Sequence, residues 1–533
     1  MITSIFWKRT YLFIEYTAEA PLHLVFAQES TGKQIPMESK KLEDGKYRAK
    51  LNFAIADGRG MFPSGKWQLF SHHSSITGNL RHSTTLTTVP VLSEELLFRI
   101  EDCSRVFRYG NGRSAYIVTF DVEELADHTI GLFLEISFMK KNKKPEIRSK
   151  KAQPAIRMLN LCYSFFSVFR SKKGNRILFL SENMDHIRDN MKAIDTRLHE
   201  RGLDKEFEIS YFFHNIFDEK PSPAFWLKTL NQIAKNDYIF VDDYVPIFGF
   251  LNLKPHTKLI QTWHAGFGFK LVGYGRFGID GSPHPYVSCH RKYTYALIGN
   301  PHLREIYTEV FGIESEALLA SGMPRLEHFL DEDYIRETKQ SLYEKYPQFT
   351  GKRVILYAPT YRGYSQDDAH FDYDCLDFVN LAEICRSTDS IFVFKMHHFI
   401  QEATPIPDEM KDCFFDLSGE NLNDLFYISD VLITDYSSCF YDYLLLKRPI
   451  LFYVYDKALY SATRGVHRPI DQVAPGIVCN DFNELTTALS KEQLELPAAA
   501  DMLIDNCLTN TELASDMVID HILLGKEVPR LCE

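Results

Sequence analysis

Hydrophobic positions follow two different rhythms in this chain. From Tyr11 to about Met139 the apolar segments are short and often alternating: Tyr11–Tyr16, Pro21–Phe26, Lys46–Phe53 and Ala115–Phe120. Gly, Asn, Asp and Ser clusters separate them, which predicts an all-β, sandwich-like accessory domain over residues 1–139. From Arg176 the pattern changes. Apolar runs at Ile177–Leu180, Glu208–Phe213, Tyr238–Val241, Leu259–Thr262 and Tyr295–Ile298 read as strands, with helical stretches such as Asn190–Arg201 among them. A second series follows at Arg353–Tyr357, Ile391–Phe394, Val431–Ile433 and Ile450–Tyr453. Strands buried on both faces need no polar alternation, so the expected class is α/β with doubly wound parallel sheets. Two Rossmann-like halves, 176–325 and 326–533, joined near Gly322–Leu330, would face each other across a cleft. No internal repeat or low-complexity tract interrupts them.

Between the two regimes lies a linker, 140–175. From Lys140 to Arg176 it carries twelve Lys and Arg residues against only Glu146, and it contains the apolar stretch Met158–Phe169. Basic residues flanking an apolar amphipathic helix fit an anionic membrane surface. The same pattern also fits a solvated linker leading to a helix buried against the next domain.

Composition narrows the class. The chain has 533 residues, room for about three domains at roughly 150 residues each. A hydrophobic fraction of 45% supports real cores, and a net charge of −11 argues against general nucleic-acid binding. Ten scattered cysteines without a C-x-x-C pair point to a reducing compartment and away from zinc ribbons. Met1–Tyr16 shows no signal peptide, and no apolar run of about 18 residues is present. The expected location is the cytosol or the cytoplasmic face of a membrane, as a peripheral protein.

Polar residues gather where strands end. Leu259–Thr262 runs into W-H-A-G-F-G-F-K, placing His264 just past the strand and glycines Gly266 and Gly268 in the turn. Val354–Tyr357 leads to Thr360 and Arg362, and Ile391–Phe394 to Lys395, His397 and His398. Val431–Ile433 stops at Asp435, and Ser437 and Ser438 precede an amphipathic segment from about Cys439 to Lys447. Ligands of open α/β sheets bind beyond the carboxyl ends of the strands, and a helix start with small hydroxyls suits a phosphate.

Structural readings stand beside these. The serines alone fit a helix cap, a lone histidine fits a hydrogen-bonded structural role, and Arg362 has Asp367 nearby as a surface partner. A strand-like His397–His398 pair would aim only one ring at a cleft. No H-E-x-x-H or carboxylate-rich spacing supports a metal, and none is expected, nor any other cofactor. The set fits diphosphate chemistry: cations and hydroxyls for anionic oxygens, and a histidine base for a hydroxyl proton, with Asp435 orienting or charge-stabilising it. The absence of G-x-x-x-x-G-K-[ST] argues against a P-loop ATPase, and no G-x-S-x-G suggests a hydrolase.

Five ordered motifs carry a family resemblance: W-H-A-x-x-x-F-K-x-x-G at Trp263–Gly273, S-G-M-P-R at Ser321–Arg325, Y-A-P-T-Y-R at Tyr357–Arg362, F-K-M-H at Phe394–His397, and L-I-T-D-Y-S-S-x-x-Y-D-Y at Leu432–Tyr443. They resemble the CDP-glycerol glycerophosphotransferase family, whose members build teichoic acids and related polyol-phosphate polymers. The likeness covers roughly Gly174 to Tyr460. The β region, the basic segment and D-Y-I-F-V-D-D at Asp237–Asp243 look most like its poly(ribitol phosphate) polymerases.

The resemblance implies a GT-B-like pair of domains, a CDP-polyol donor and CMP as leaving group. The acceptor would be a hydroxyl on a polyprenyl-diphosphate-linked saccharide or a growing polyol-phosphate chain. Carried over by motif, the substrate-binding set is Trp263, Ala265, Gly266, Phe267, Lys270, Arg325, Pro359, Thr360, Arg362, Lys395, Met396, Ser437, Ser438 and Asp442. His264 and His397 match two essential histidines, His264 taken as base and His397 as phosphate ligand, with the roles interchangeable at this stage. Glycerophosphate polymerases usually read W-H-G-T-P-L-K, whereas this chain has W-H-A-G-F-G-F-K, with one more residue before the lysine, which leans the donor toward CDP-ribitol or reflects the acceptor. A GT-B glycosyltransferase using a nucleotide sugar and a non-catalytic polymer-binding protein are the alternatives.

Overall fold

The computed structural model describes residues 1–58, 60–73, 89–109, 114–140, 153–214, 222–277, 283–284, 287–363, 369–491, 494 and 514–527. Among the described residues of the N-terminal part there are ten strands: β1 (Ile2–Lys8), β2 (Tyr11–Thr17), β3 (Leu22–Gln28), β4 (Lys33–Pro36), β5 (Glu38–Glu43), β6 (Lys46–Asn52), β7 (Gly65–His73), β8 (Arg105–Tyr109), β9 (Ser114–Glu124) and β10 (Ile130–Lys140). They pair antiparallel in two sheets, β1-β2-β6-β5 and β4-β3-β7-β10-β9-β8. The inward residues Leu12, Ile14, Trp67, Leu69, Leu132 and Leu134 share one core, as period-two alternation requires.

Two parallel sheets follow. The first contains β11 (Arg176–Ser181), β12 (Glu208–Phe213), β13 (Tyr238–Val241), β14 (Lys258–Gln261), β15 (Tyr295–Leu297) and β16 (Leu318–Leu319), in the order β12-β11-β13-β14-β15-β16. The second contains β17 (Arg353–Tyr357), β18 (Ser390–Phe394), β19 (Phe414–Asp416), β20 (Val431–Thr434), β21 (Ile450–Tyr453) and β22 (Ile477–Cys479), in the order β19-β18-β17-β20-β21-β22. The molecule is thus mixed α/β with parallel sheets. The central strands are buried along nearly their whole length, which explains their unbroken apolar runs. β16, β19 and β22, two or three residues long at or beside the sheet edges, have no periodicity to betray them.

One apolar cluster runs through both sheets, from Ile177 and Phe179 through Met323, Leu326 and Phe329 to Val354 and Leu356. The last described helical segment also crosses back. Asp516 binds Arg197 and Arg201, and Asp520 binds Arg201 on the first half.

The linker forms a helix, Gln153–Ser167. Leu159, Cys162, Tyr163 and Phe166 pack into the core of the first half, while Met158, Leu161 and Phe165 are 61–66% exposed. The expected basic residues Lys141, Lys143, Lys144, Arg148, Lys150 and Lys151 lie outside the described residues.

Candidate active site

The loop after β14 is held in an unusual shape. Trp263 has φ +45°, a left-handed conformation that a bulky residue adopts only when its surroundings impose it. Asn190 imposes it: its amide donates to the carbonyls of Thr262 (3.0 Å) and Trp263, and its Oδ1 accepts the Arg325 N–H (3.0 Å). His264 follows as an exposed residue with its ring stacked on Trp263 (5.0 Å between centroids).

The rest of the W-H-A loop grips the second half. Phe267 stacks on Tyr441 (4.7 Å), and the Phe269 carbonyl accepts the His467 N–H (2.7 Å). Arg468 donates to the Phe267 carbonyl and to the Tyr441 hydroxyl (2.5 and 2.7 Å), and Lys270 bridges to Val466. The Ala265 carbonyl accepts from the Tyr307 hydroxyl. A Cβ on Gly266 would sit 2.5 Å from the Met323 sulfur, so that position tolerates only glycine without a shift. Trp263, Ala265, Gly266 and Phe267 therefore build the junction that presents His264 and Lys270.

Arg325 and Asp442 form a buried bidentate pair across the halves, one arm at 2.8 Å. The helix bearing Asp442, Cys439–Tyr443, is buried on every side rather than amphipathic, because it lies between the two sheets. Ser437 Oγ accepts the Cys439 N–H (3.4 Å), whereas Ser438, at the cap position, makes no side-chain cap bond.

Asp435 does not orient a histidine. Its Oδ1 accepts the N–H groups of Thr360 (2.8 Å) and Tyr436 (2.6 Å), and its Oδ2 lies 2.9 Å from Arg362 Nη1. Arg362 is also held by Asp456 (2.6 and 3.0 Å) and by the Thr360 carbonyl (2.6 Å). These two carboxylates take the place of the surface partner Asp367, which lies outside the described residues. Pro359 leads into this turn, and the Thr360 hydroxyl is buried without a hydrogen-bond partner among the described residues.

The segment after β18 is coil, so strand alternation does not separate its histidines, and His397 and His398 stack at 4.3 Å. His397 Nδ1 accepts the Phe399 N–H (3.2 Å), which places the ring proton on Nε2. Burial, with His398, Lys270, Lys395 and Arg464 adding to it, pushes the His397 pKa down to about 3. It is a neutral donor at physiological pH. Met396 is buried with its N–H on Ser418, while Lys395 donates to the Ser418 carbonyl (3.0 Å). Burial, opposed by Asp435 and reinforced by Arg464 and Arg362, holds Lys270 below the ordinary lysine range. Lys270, Lys395 and Arg464 thus surround His397 with positive charge. A cavity of about 640 Å³ opens between the halves, lined by Arg188, Lys192, Arg325, His328, Asn421 and Asp424 among others.

Sequence reasoning missed Asn190, Asp456, Arg464 and Arg468. All four act across long separations, and only the polar start of the helix Asp189–Glu200 hinted at Asn190. Among the described residues no group of three or more His, Cys, Asp or Glu is placed to hold a metal.

Two parallel-sheet halves meeting over a cationic, histidine-bearing cleft define an α/β enzyme that handles an anionic ligand. The chain belongs to the CDP-glycerol:poly(glycerophosphate) glycerophosphotransferase family, whose model matches residues 162–504. It is 29% identical over 527 residues to the teichoic acid ribitol-phosphate polymerase TarL of Staphylococcus aureus, covering 93% of both chains. Its identity to TarK of the same organism, also a teichoic acid ribitol-phosphate polymerase, is 30%, over 86% of this chain and 94% of that one. Its fold is similar to that of the wall teichoic acid polymerase TagF, with TM-score 0.53 and 22% identity, over 69% of this chain and 94% of that one.

Proposed function

We propose that this enzyme transfers polyol phosphate, ribitol phosphate in preference to glycerol phosphate, from a CDP-polyol to a hydroxyl of a lipid-linked acceptor or growing chain. The observation that carries this reading is the neutral His397, an Nε2–H donor under the positive charge of Lys270, Lys395 and Arg464. In a GT-B arrangement the second half, 326–533, takes the diphosphate and the first, 176–325, presents the acceptor. The 1–139 β unit is accessory, and 140–175 links it to them. The acceptor oxygen attacks the polyol-bearing phosphorus, His264 takes its proton, and the bond to the CMP oxygen breaks, with CMP leaving with the electron pair. His397, fixed as a donor by its tautomer, stabilises the charge on the phosphates rather than acting as base. The near full-length likeness to two ribitol-phosphate polymerases supports the choice of polyol.

The membrane surface is part of this reading. Met158, Leu161 and Phe165 line one exposed face of the helix Gln153–Ser167, and Arg157, Lys172 and Lys173 flank it in exposed positions. Among the described residues no helix is long and apolar enough to cross a membrane, so the contact would be peripheral.

Purified protein given a lipid-linked acceptor should release CMP from CDP-ribitol faster than from CDP-glycerol. His264→Ala should lower turnover at least about 10²-fold. No CMP from either donor would end this proposal.

A further inference from the structure

With Asp435 committed to Arg362, the carboxylate that serves His264 must come from elsewhere. The D-Y-I-F-V-D-D stretch supplies one at the end of β13. Its first aspartate, Asp237, is occupied by Arg170 (2.7 Å) and the Arg176 N–H (3.0 Å). Its last, Asp243, accepts from Asn183 (2.8 Å) and from the Tyr244 N–H (2.7 Å). Asp242 differs: its Oδ1 is buried with no hydrogen-bond partner among the described residues.

Topology places Asp242 beside the histidine loop. β13 pairs in parallel with β14, Val241 opposite Gln261, and the Thr262 N–H and hydroxyl both bond the Val241 carbonyl (2.7 and 3.1 Å). Asp242 is therefore level with Thr262, two residues before His264. We propose that Asp242 is the positioning residue of the base, its carboxylate stabilising the imidazolium that forms when His264 takes the acceptor proton.

This rests on the proposed transfer. The proton leaves the acceptor oxygen as the new P–O bond forms, and Asp242 stays ionised, lowering the cost of charging the ring without accepting the proton. Burial raises the Asp242 pKa to about 6, opposed by a Ser181 bond and by His264, while Asp243 adds to the rise. The other charged groups near this corner are Glu182 at the end of β11 and Arg325, whose guanidinium approaches the His264 carbonyl (3.5 Å). Of the cations around His397, Lys395 and Arg464 belong to the other half, whereas Lys270 lies on the same loop as His264, six residues further on.

The test is the pH profile of kcat/KM for CMP release, with CDP-ribitol affinity measured separately by calorimetry. Asp242→Asn should lower kcat roughly tenfold and move the acid limb down by about one pH unit, with donor affinity unchanged. Asp242→Glu should restore much of the limb's position. A limb that stays put in a folded, active Asp242→Asn variant overturns the inference, as does a loss confined to donor affinity. Wild-type protein that releases no CMP refutes the transfer itself, a distinct result.

Discussion

At the residue scale, Asn190 shows how one amide can organise a site. It is 2% exposed and ties the Trp263 turn to the Arg325 turn, which in turn carries the ion pair to Asp442. Asn190→Ala leaves two carbonyls and one N–H without partners while Trp263 keeps a strained φ. Each orphaned group costs about 1–3 kcal/mol, so a loss of several kcal/mol in urea unfolding is expected. A fall in kcat/KM should accompany it, because His264 rides on that turn. An unchanged urea midpoint would show that the turn holds without Asn190. The sequence showed which residues cluster at strand ends, because that follows from local order. It did not show their partners. Asp435 and Arg362 stood out as a possible orienter and a possible surface ion, yet they bind each other, a pairing between positions 73 residues apart that no local spacing encodes.

At the element scale, strands were legible wherever both faces are buried. β13 and β17 begin and end where their apolar runs do, whereas the short β16, β19 and β22 leave no trace. The helix Gln153–Ser167 left two readings open, core or membrane, and its faces explain why: one side is buried and the other is an apolar stripe facing solvent. Burying a large apolar side chain gains about 1.5–3 kcal/mol, and nearby basic residues add about 1 kcal/mol each on an anionic surface. Replacing Leu161 and Phe165 together with Glu should abolish co-flotation with vesicles containing anionic lipid. Turnover of a short soluble acceptor should be unaffected, since both side chains point away from the core that carries the strands. Flotation that survives the double change would place the membrane contact elsewhere.

At the scale of the whole molecule, buried titratable groups set the response to acid. His290 and His397 are held near pKa 3 and His328 near 4, chiefly by burial, and His467 is lowered as well. Such groups stay neutral in the folded chain while the unfolded chain takes up protons below about 6.5, so stability falls as pH drops from there toward 3. Glu182 and Glu309 near 7, and Asp242 near 6, have the opposite sign. Burial favours their protonated forms in the folded chain, so their contribution is complete below the unfolded carboxylate range and is lost as pH rises through 6 to 7. Between about pH 7 and 4.5 the two sets oppose each other and stability should change little. Below about 4.5 the carboxylate gain is exhausted while the histidine loss continues, and Asp516 and Asp520 begin to lose their arginine pairs. Unfolding midpoints in guanidinium chloride measured from pH 8 to 3 should therefore show a shallow plateau followed by a steep fall. His328→Gln, which removes one titrating ring, should flatten that fall, and an equally steep decline in this variant would mean that the carboxylates alone govern the acid limit.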